Sequence, residues 1–93
     1  MTIGILRLLL FIPHSNSLKD KRMVLHSLKA KLRNHFNIAV TQLDDEDKWQ
    51  RTTLAVVGVE KNKTTMNRTL SEIINYIRGF NAINLIDYEM ELI

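Results

Sequence analysis

The side chains in this chain best suited to chemistry are its cations. Lys19, Arg22, His26, Lys29 and Arg33 recur at alternating intervals of three and four residues. On a helix turning about 100° per residue they fall within about 80° of one another. Such a row suits a polyanion backbone, because each cation that neutralises a phosphate releases a condensed counterion. Roughly 3–4 contacts of this kind give a log K versus log salt slope of about −3, weak and indifferent to base sequence. The same pattern also describes a solvated helix face whose long basic stems cover the apolar edges.

Other chemistry is thinly represented. Trp49, the single tryptophan, sits between Lys48 and Arg51, where an aromatic ring among cations can stack on a base. A tryptophan there can equally lid the edge of a small core. Asp44, Asp45, Glu46 and Asp47 are carboxylates without the glycine and the spaced terminal acid of a calcium loop, and read as a solvated turn. His14, His26 and His35 lack metal-ligand spacing, and the chain has no cysteine, so no metal site and no cofactor is expected. Serines 15, 17, 27 and 71 lack a nucleophile context, and the three glycines form no phosphate cradle.

These residues must be positioned by one domain, since 93 residues leave room for a single core. Residues 3–12 form an almost continuous apolar run, read as a strand ended by Pro13. Ser17, with Asp20 three residues on, signals a helix start near Leu18. Leu18, Val24, Leu25, Leu28 and Leu32 give that helix an apolar side, and it is expected to end near Asn34. Residues 36–42 alternate as a half-buried strand, with Phe36, Ile38 and Val40 on one face. Residues 51–60 make a third strand, and "KNKTT" a turn. Met66, Leu70, Ile73, Ile74 and Ile77 mark a second amphipathic helix that Gly79 stops. The last strand, 83–93, is expected to set Ile86, Tyr88, Met90 and Leu92 on one face, with the acids, Leu85 and Ile93 on the other. The order β-α-β-β-α-β predicts an α+β, ferredoxin-like fold: a four-stranded antiparallel sheet with both helices on one face.

That architecture leaves one sheet face open. If Gly4, Leu6, Leu8, Leu10 and Ile12 meet the helices, then Ile3, Ile5, Arg7, Leu9 and Phe11 point away, joined by Ala55, Val57 and Val59. An apolar face of that extent implies a partner, and a second copy packed sheet to sheet is the simplest. Arg7 would need pairing there, and Asp87 or Glu89 on the neighbouring last strand is expected to supply it. The face lacks the pair of exposed aromatics that an RNA-recognition motif places on its central strands.

The charge is unevenly distributed: residues 1–35 carry seven basic side chains and one acid, residues 36–93 six basic and nine acidic ones. Such polarity attracts an anionic partner to one side, or serves self-complementarity within the fold. The longest apolar run, Leu8 to Ile12, is too short to span a bilayer. With Arg7 interrupting the apolar stretch and no cysteine present, neither a signal peptide nor a membrane contact is expected, and a cytoplasmic location is.

"GILRLLLFIPHSNSLKDKR", "LRNHFNIAV" and "DKWQRTTLAVVGV" together resemble the small bacterial YlxP-like family, a domain of unknown function, over nearly the whole chain. The resemblance implies a ferredoxin-like fold. It also implies company with genes for transcription antitermination, translation initiation and ribosome maturation. It brings no catalytic residues. It draws attention to Ser17, Lys19, Lys21 and Arg22, and to Trp49, Gln50 and Arg51. Gln42 stands where an acidic residue is expected. The resulting expectation is a non-enzymatic accessory protein that binds RNA or a ribosomal particle. Lys19, Lys21, Arg22, His26, Lys29 and Arg33 would meet phosphates, with Trp49 and Arg51 as a second contact. The alternative is a homodimeric interaction module using Ile3, Ile5, Arg7, Leu9, Phe11, Val57 and Val59. An acylphosphatase-like hydrolase shares the element order, but "PHSNSLKDKR" offers no glycine cradle.

Overall fold

The computed structural model describes residues 1–43 and 50–93. Its elements run β1 (Thr2–Phe11), α1 (Leu18–His35), β2 (Ile38–Gln42), β3 (Arg51–Glu60), α2 (Lys63–Arg78) and β4 (Asn84–Leu92). The four strands form one antiparallel sheet in the order β2-β3-β1-β4. This is the ferredoxin-like arrangement expected from the pattern of elements.

Strand alternation decides what is buried. Leu6, Leu8 and Leu10 of β1 and Leu54 and Val56 of β3 are fully enclosed, sharing one cluster with Leu25, Leu28 and Leu32 of α1 and Met66, Leu70, Ile73 and Ile77 of α2. Their neighbours Ile3, Ile5, Arg7, Leu9 and Phe11 lie on the other side, where no helix packs. Both helices therefore cover a single face.

A pair of glycines seats α2. Gly4 and Gly58 are cross-strand partners on β1 and β3. The side chain of Met66, itself fully buried, fills the hollow they leave. A Cβ added at Gly4 would lie 2.7 Å from Met66 atoms, and one at Gly58 would lie 3.2 Å from Ile38 and 3.3 Å from Met66. Neither glycine is there for a positive φ; the requirement is space.

Three local differences from the sequence pattern have physical causes. Phe36 caps α1 instead of opening β2: it is extended, and its N–H still donates to Leu32 O at 2.9 Å, so β2 begins only at Ile38. The "KNKTT" turn is shorter than expected, because Asn62 accepts from the Thr65 N–H at 2.8 Å and starts α2 at Lys63. In β4 the ladder pairs Leu9 with Asp87 but Leu10 with Leu85, so Ile86 is an extra residue in a bulge. The bulge turns Leu85 inward to pack on the core, not outward with the acids as simple alternation had it. Ile86 is left 48% exposed.

At the far end of α1, His35 lies 4.7 Å from the Tyr76 ring, Phe36 meets Tyr76 edge-on at 6.0 Å, and the Lys31 ammonium sits 5.0 Å from the Phe80 ring centre. These contacts tie the two helices together where the leucine stripe runs out.

The glycine hollow is open to test by chemical denaturation. Gly4→Ala is expected to destabilise by about 1–3 kcal/mol through overpacking, and Met66→Ala by about 2–5 kcal/mol through a cavity. The double variant should lose clearly less than the sum, because the new methyl group occupies part of the space Met66 vacates.

Candidate nucleic-acid interface

The start of α1 is held by a reciprocal cap. Asp20 N–H donates to Ser17 Oγ at 3.1 Å, and Asn16 N–H donates to Asp20 Oδ2 at 3.1 Å. Together these meet a helix-start donor and a loop donor. Ser15, almost fully buried, donates from its hydroxyl to Ser17 O at 3.1 Å, and its own N–H donates to Ile12 O at 3.2 Å. The first strand–helix loop is thus closed on itself, with the Ser15 and Asn16 amides already committed.

The six residues of "SLKDKR" divide their work. Ser17 and Asp20 are the cap. Lys19 and Arg22 are exposed on the helix surface. Lys21 is not: at 2% exposed it lies on the buried face with Leu25, Leu28 and Leu32, and the fold engages it there. Lys21 was expected to meet phosphate. That expectation is corrected, because a side chain enclosed to this degree is withdrawn from any ligand at the surface. Its position in the helix explains this, since Lys21 precedes Leu25 by one turn and Leu28 by two.

The remaining cations stay in line. Arg22, His26 and Lys29 border a groove of about 400 Å³ together with Met23, Leu25 and Gln42. The groove runs between α1 and the β2 side of the sheet. Among the described residues no carboxylate lies within ion-pair distance of Lys19, His26, Lys29 or Arg33. Gln42, the neutral residue found where an acid was expected, stands on the groove wall, and the described lining residues include no carboxylate. Lys19 and Arg22 also sit near the N-terminal end of α1, where the helix dipole disfavours cations by a few tenths of a kcal/mol.

Arg33 has a second engagement. Its guanidinium Nη2 donates to Val40 O at 3.4 Å. Leu43 N–H donates to Thr53 O at 2.9 Å, so alternate residues Thr41 and Ala39 turn their backbone groups to β3 while Val40 turns outward. Arg33 thus covers a carbonyl on the free edge of β2. It remains exposed at the end of the row.

Arg51 does not join the stripe. It pairs with Phe11 across β3 and β1 and lies on the open sheet face, opposite the helices. Trp49 and the acids 44–47 lie outside the described residues. Gln50 Nε2 donates to Pro13 O at 3.3 Å, and Ile12 N–H to Gln50 O at 2.7 Å, so the start of β3 is fastened to the loop that precedes "SLKDKR".

The open face carries the residues assigned to it. Val57 is 39% and Val59 51% exposed, and Ile3, Ile5, Leu9 and Phe11 are half-buried. Arg7 Nη1 lies 4.0 Å from Glu89 Oε2, the pairing expected from the sequence, with both side chains well exposed. The histidines are separate: His35 is stacked at the far end of α1, while His14 borders an apolar hollow of about 280 Å³ with Ile12, Met23, Val24 and Ala82. Among the described residues no three His, Asp or Glu side chains group to hold a metal ion, and no helix is long and apolar enough to cross a membrane.

Fold and surface define a small α+β protein of ferredoxin-like topology with one basic helix and one uncovered sheet face. Residues 3–90 match the family described as "Protein of unknown function (DUF503)", and the chain belongs to that family. It is 29% identical over 69 residues to the "Uncharacterized protein YlxP" of Bacillus subtilis (strain 168), covering 74% of this chain and 75% of that one. Among solved structures it is similar in fold to the de novo designed protein Foldit4 (TM-score 0.55, 10% identity, 100% and 97% of the two chains). It is also similar to SnoaB, a cofactor-independent oxygenase from Streptomyces nogalater (TM-score 0.53, 15% identity, 99% and 90%). At those identities the likeness is one of fold alone.

The capping arrangement predicts a definite cost. Ser17→Ala should lower stability by about 1 kcal/mol in urea unfolding, whereas Lys19→Ala, one turn-position away and exposed, should change it by less than about 0.5 kcal/mol.

Proposed function

We propose that the protein is a non-enzymatic accessory factor that binds structured RNA or an RNA-containing particle through the basic row on α1, of which Lys29 is half-buried and the other members are exposed. The observation that carries this reading is the alignment of Lys19, Arg22, His26, Lys29 and Arg33 on one side of a single helix, three of them beside a groove with no described carboxylate pairing to Lys19 or Lys29. From Lys19 to Arg33 the row extends about 21 Å, at about 1.5 Å per residue. No described aromatic ring is interleaved with it, and the row itself offers contacts to phosphates. The acids of β4 lie on the opposite side of the sheet from β2, which orients an anionic partner toward α1. The gene company that the YlxP-like resemblance implies points to the same kind of partner. The hydrolase alternative loses support from the first strand–helix loop, whose Ser15 and Asn16 amides are bonded within the protein.

A filter-binding titration with a ribosomal RNA fragment tests the proposal. The native chain should show a log K versus log salt slope of about −3. In the variant with Lys19, Arg22, Lys29 and Arg33 all replaced by Ala the slope should move toward zero and affinity at low salt should fall at least about tenfold. An unchanged titration curve removes the basis for an RNA role.

The open sheet supports a second reading, a homodimer packed sheet to sheet. It rests on Val57 and Val59, exposed beside Ile3 and Ile5 in an apolar patch two strands wide, with Arg7 already paired within the chain. Light scattering at micromolar concentration should report a dimer, and Val57→Lys with Val59→Lys should return a monomer of native circular dichroism. A native chain that is monomeric at those concentrations ends this reading.

A further inference from the structure

The two edges of the sheet are finished differently. On β2, a short strand, Arg33 covers the outward carbonyl of Val40. On β4 the edge is longer and less closed. Ile3 and Ile93 exchange both backbone hydrogen bonds at 2.8 Å. Antiparallel pairing alternates, so Glu91, Glu89 and Asp87 also turn their backbone groups to β1, while Leu92, Met90 and Tyr88 turn theirs to the free edge. The Tyr88 N–H is met locally by Asp87 Oδ1 at 2.8 Å. The Met90 and Leu92 amides and carbonyls have no such cover among the described side-chain bonds.

The side chains flanking this edge are sorted by face. Toward the helices, Tyr88 is 41% and Met90 36% exposed, and the Arg78 guanidinium lies 6.0 Å from the Tyr88 ring centre. Toward the open face stand Asp87, Glu89 and Glu91, all exposed. The edge is thus a ribbon with unpaired backbone groups, an apolar row above and an acidic row below. A second copy fits it poorly, since two β4 strands laid edge to edge would set acid against acid.

We propose that the β4 edge accepts an extended segment of a partner protein in which basic and apolar residues alternate. The segment adds a fifth strand beside Glu89–Ile93: its backbone pairs with Met90 and Leu92, its apolar side chains extend the Tyr88 and Met90 row, and its cations stand opposite Glu89 and Glu91. This surface is independent of the α1 stripe, which lies toward the opposite edge of the sheet.

The probe is a nine-residue peptide of alternating valine and lysine, titrated into the full chain by fluorescence anisotropy. Binding is expected, together with slowed hydrogen exchange at the Met90 and Leu92 amides. Glu89→Lys with Glu91→Lys should weaken it by roughly tenfold, from two lost attractions and two new repulsions. Methylating the peptide nitrogens that face β4 should weaken it by about as much, since the strand bonds cannot form. Failure of the parent peptide to bind at millimolar concentration overturns the proposal. So does equal binding of the methylated peptide, which would reduce the contact to charge alone. A native-chain dimer lost in the double-lysine variant would assign the edge to a second copy instead, and overturns it equally.

Discussion

A chain this short can enclose only one face of its sheet, and every other surface property follows from that. Two helices of 18 and 16 residues lie over the inner rows of β1 and β3, where Leu6, Leu8, Leu10, Leu54 and Val56 are sealed from water. Burial of those rows is the main favourable contribution to folding, at roughly 25 cal/mol per Å² of apolar surface removed from solvent. It leaves the alternate residues of the same strands uncovered. Ile3, Ile5, Leu9, Phe11, Val57 and Val59 face outward because period-two alternation puts every second side chain there, and no element among the described residues forms a third layer to meet them. The α1 stripe is a product of the same constraint: a helix that buries one side must show the others, and its cations occupy the flank next to the buried side.

The "SLKDKR" segment shows how six residues divide between folding and contact. Ser17 and Asp20 meet backbone donors around the helix start, Lys21 turns into the body of the protein, and Lys19 and Arg22 face solvent. Charge in the sequence is therefore a poor guide to charge at the surface, because one of the segment's three cations is withdrawn by a helical phase difference of one residue. Arg33 occupies both roles at once, extending the row while bonded to a carbonyl at the margin of the sheet.

Charge polarity along the chain becomes spatial polarity through strand order. The order β2-β3-β1-β4 sets the basic helix on the β2 side and the acidic last strand at the opposite edge. The two edges differ in cover: a guanidinium meets a carbonyl at β2, whereas at β4 a carboxylate meets the Tyr88 amide alone. At β4 it is the acidic row that disfavours pairing with a second copy, the usual hazard of a small open sheet.

Much of the fold and part of the site were legible in the sequence. The 3.6 and 2.0 periods, Ser17 before the first helix, Gly79 after the second and Pro13 after the first strand are local signals, set by backbone geometry within a few residues. The α1 row and the inward and outward sets of β1 are direct consequences of those periods, and opposite charge on neighbouring strands was enough to pair Arg7 with Glu89. Four things required the tertiary structure. The depth of Lys21, the Met66 plug under Gly4 and Gly58, the bulge that turns Leu85 inward and the separation of Arg51 from the α1 row each depend on residues distant in the chain. Local sequence encodes direction along an element, whereas depth and neighbourhood are set only when elements pack, because free volume and the pairing register belong to the assembled layers and not to any one segment.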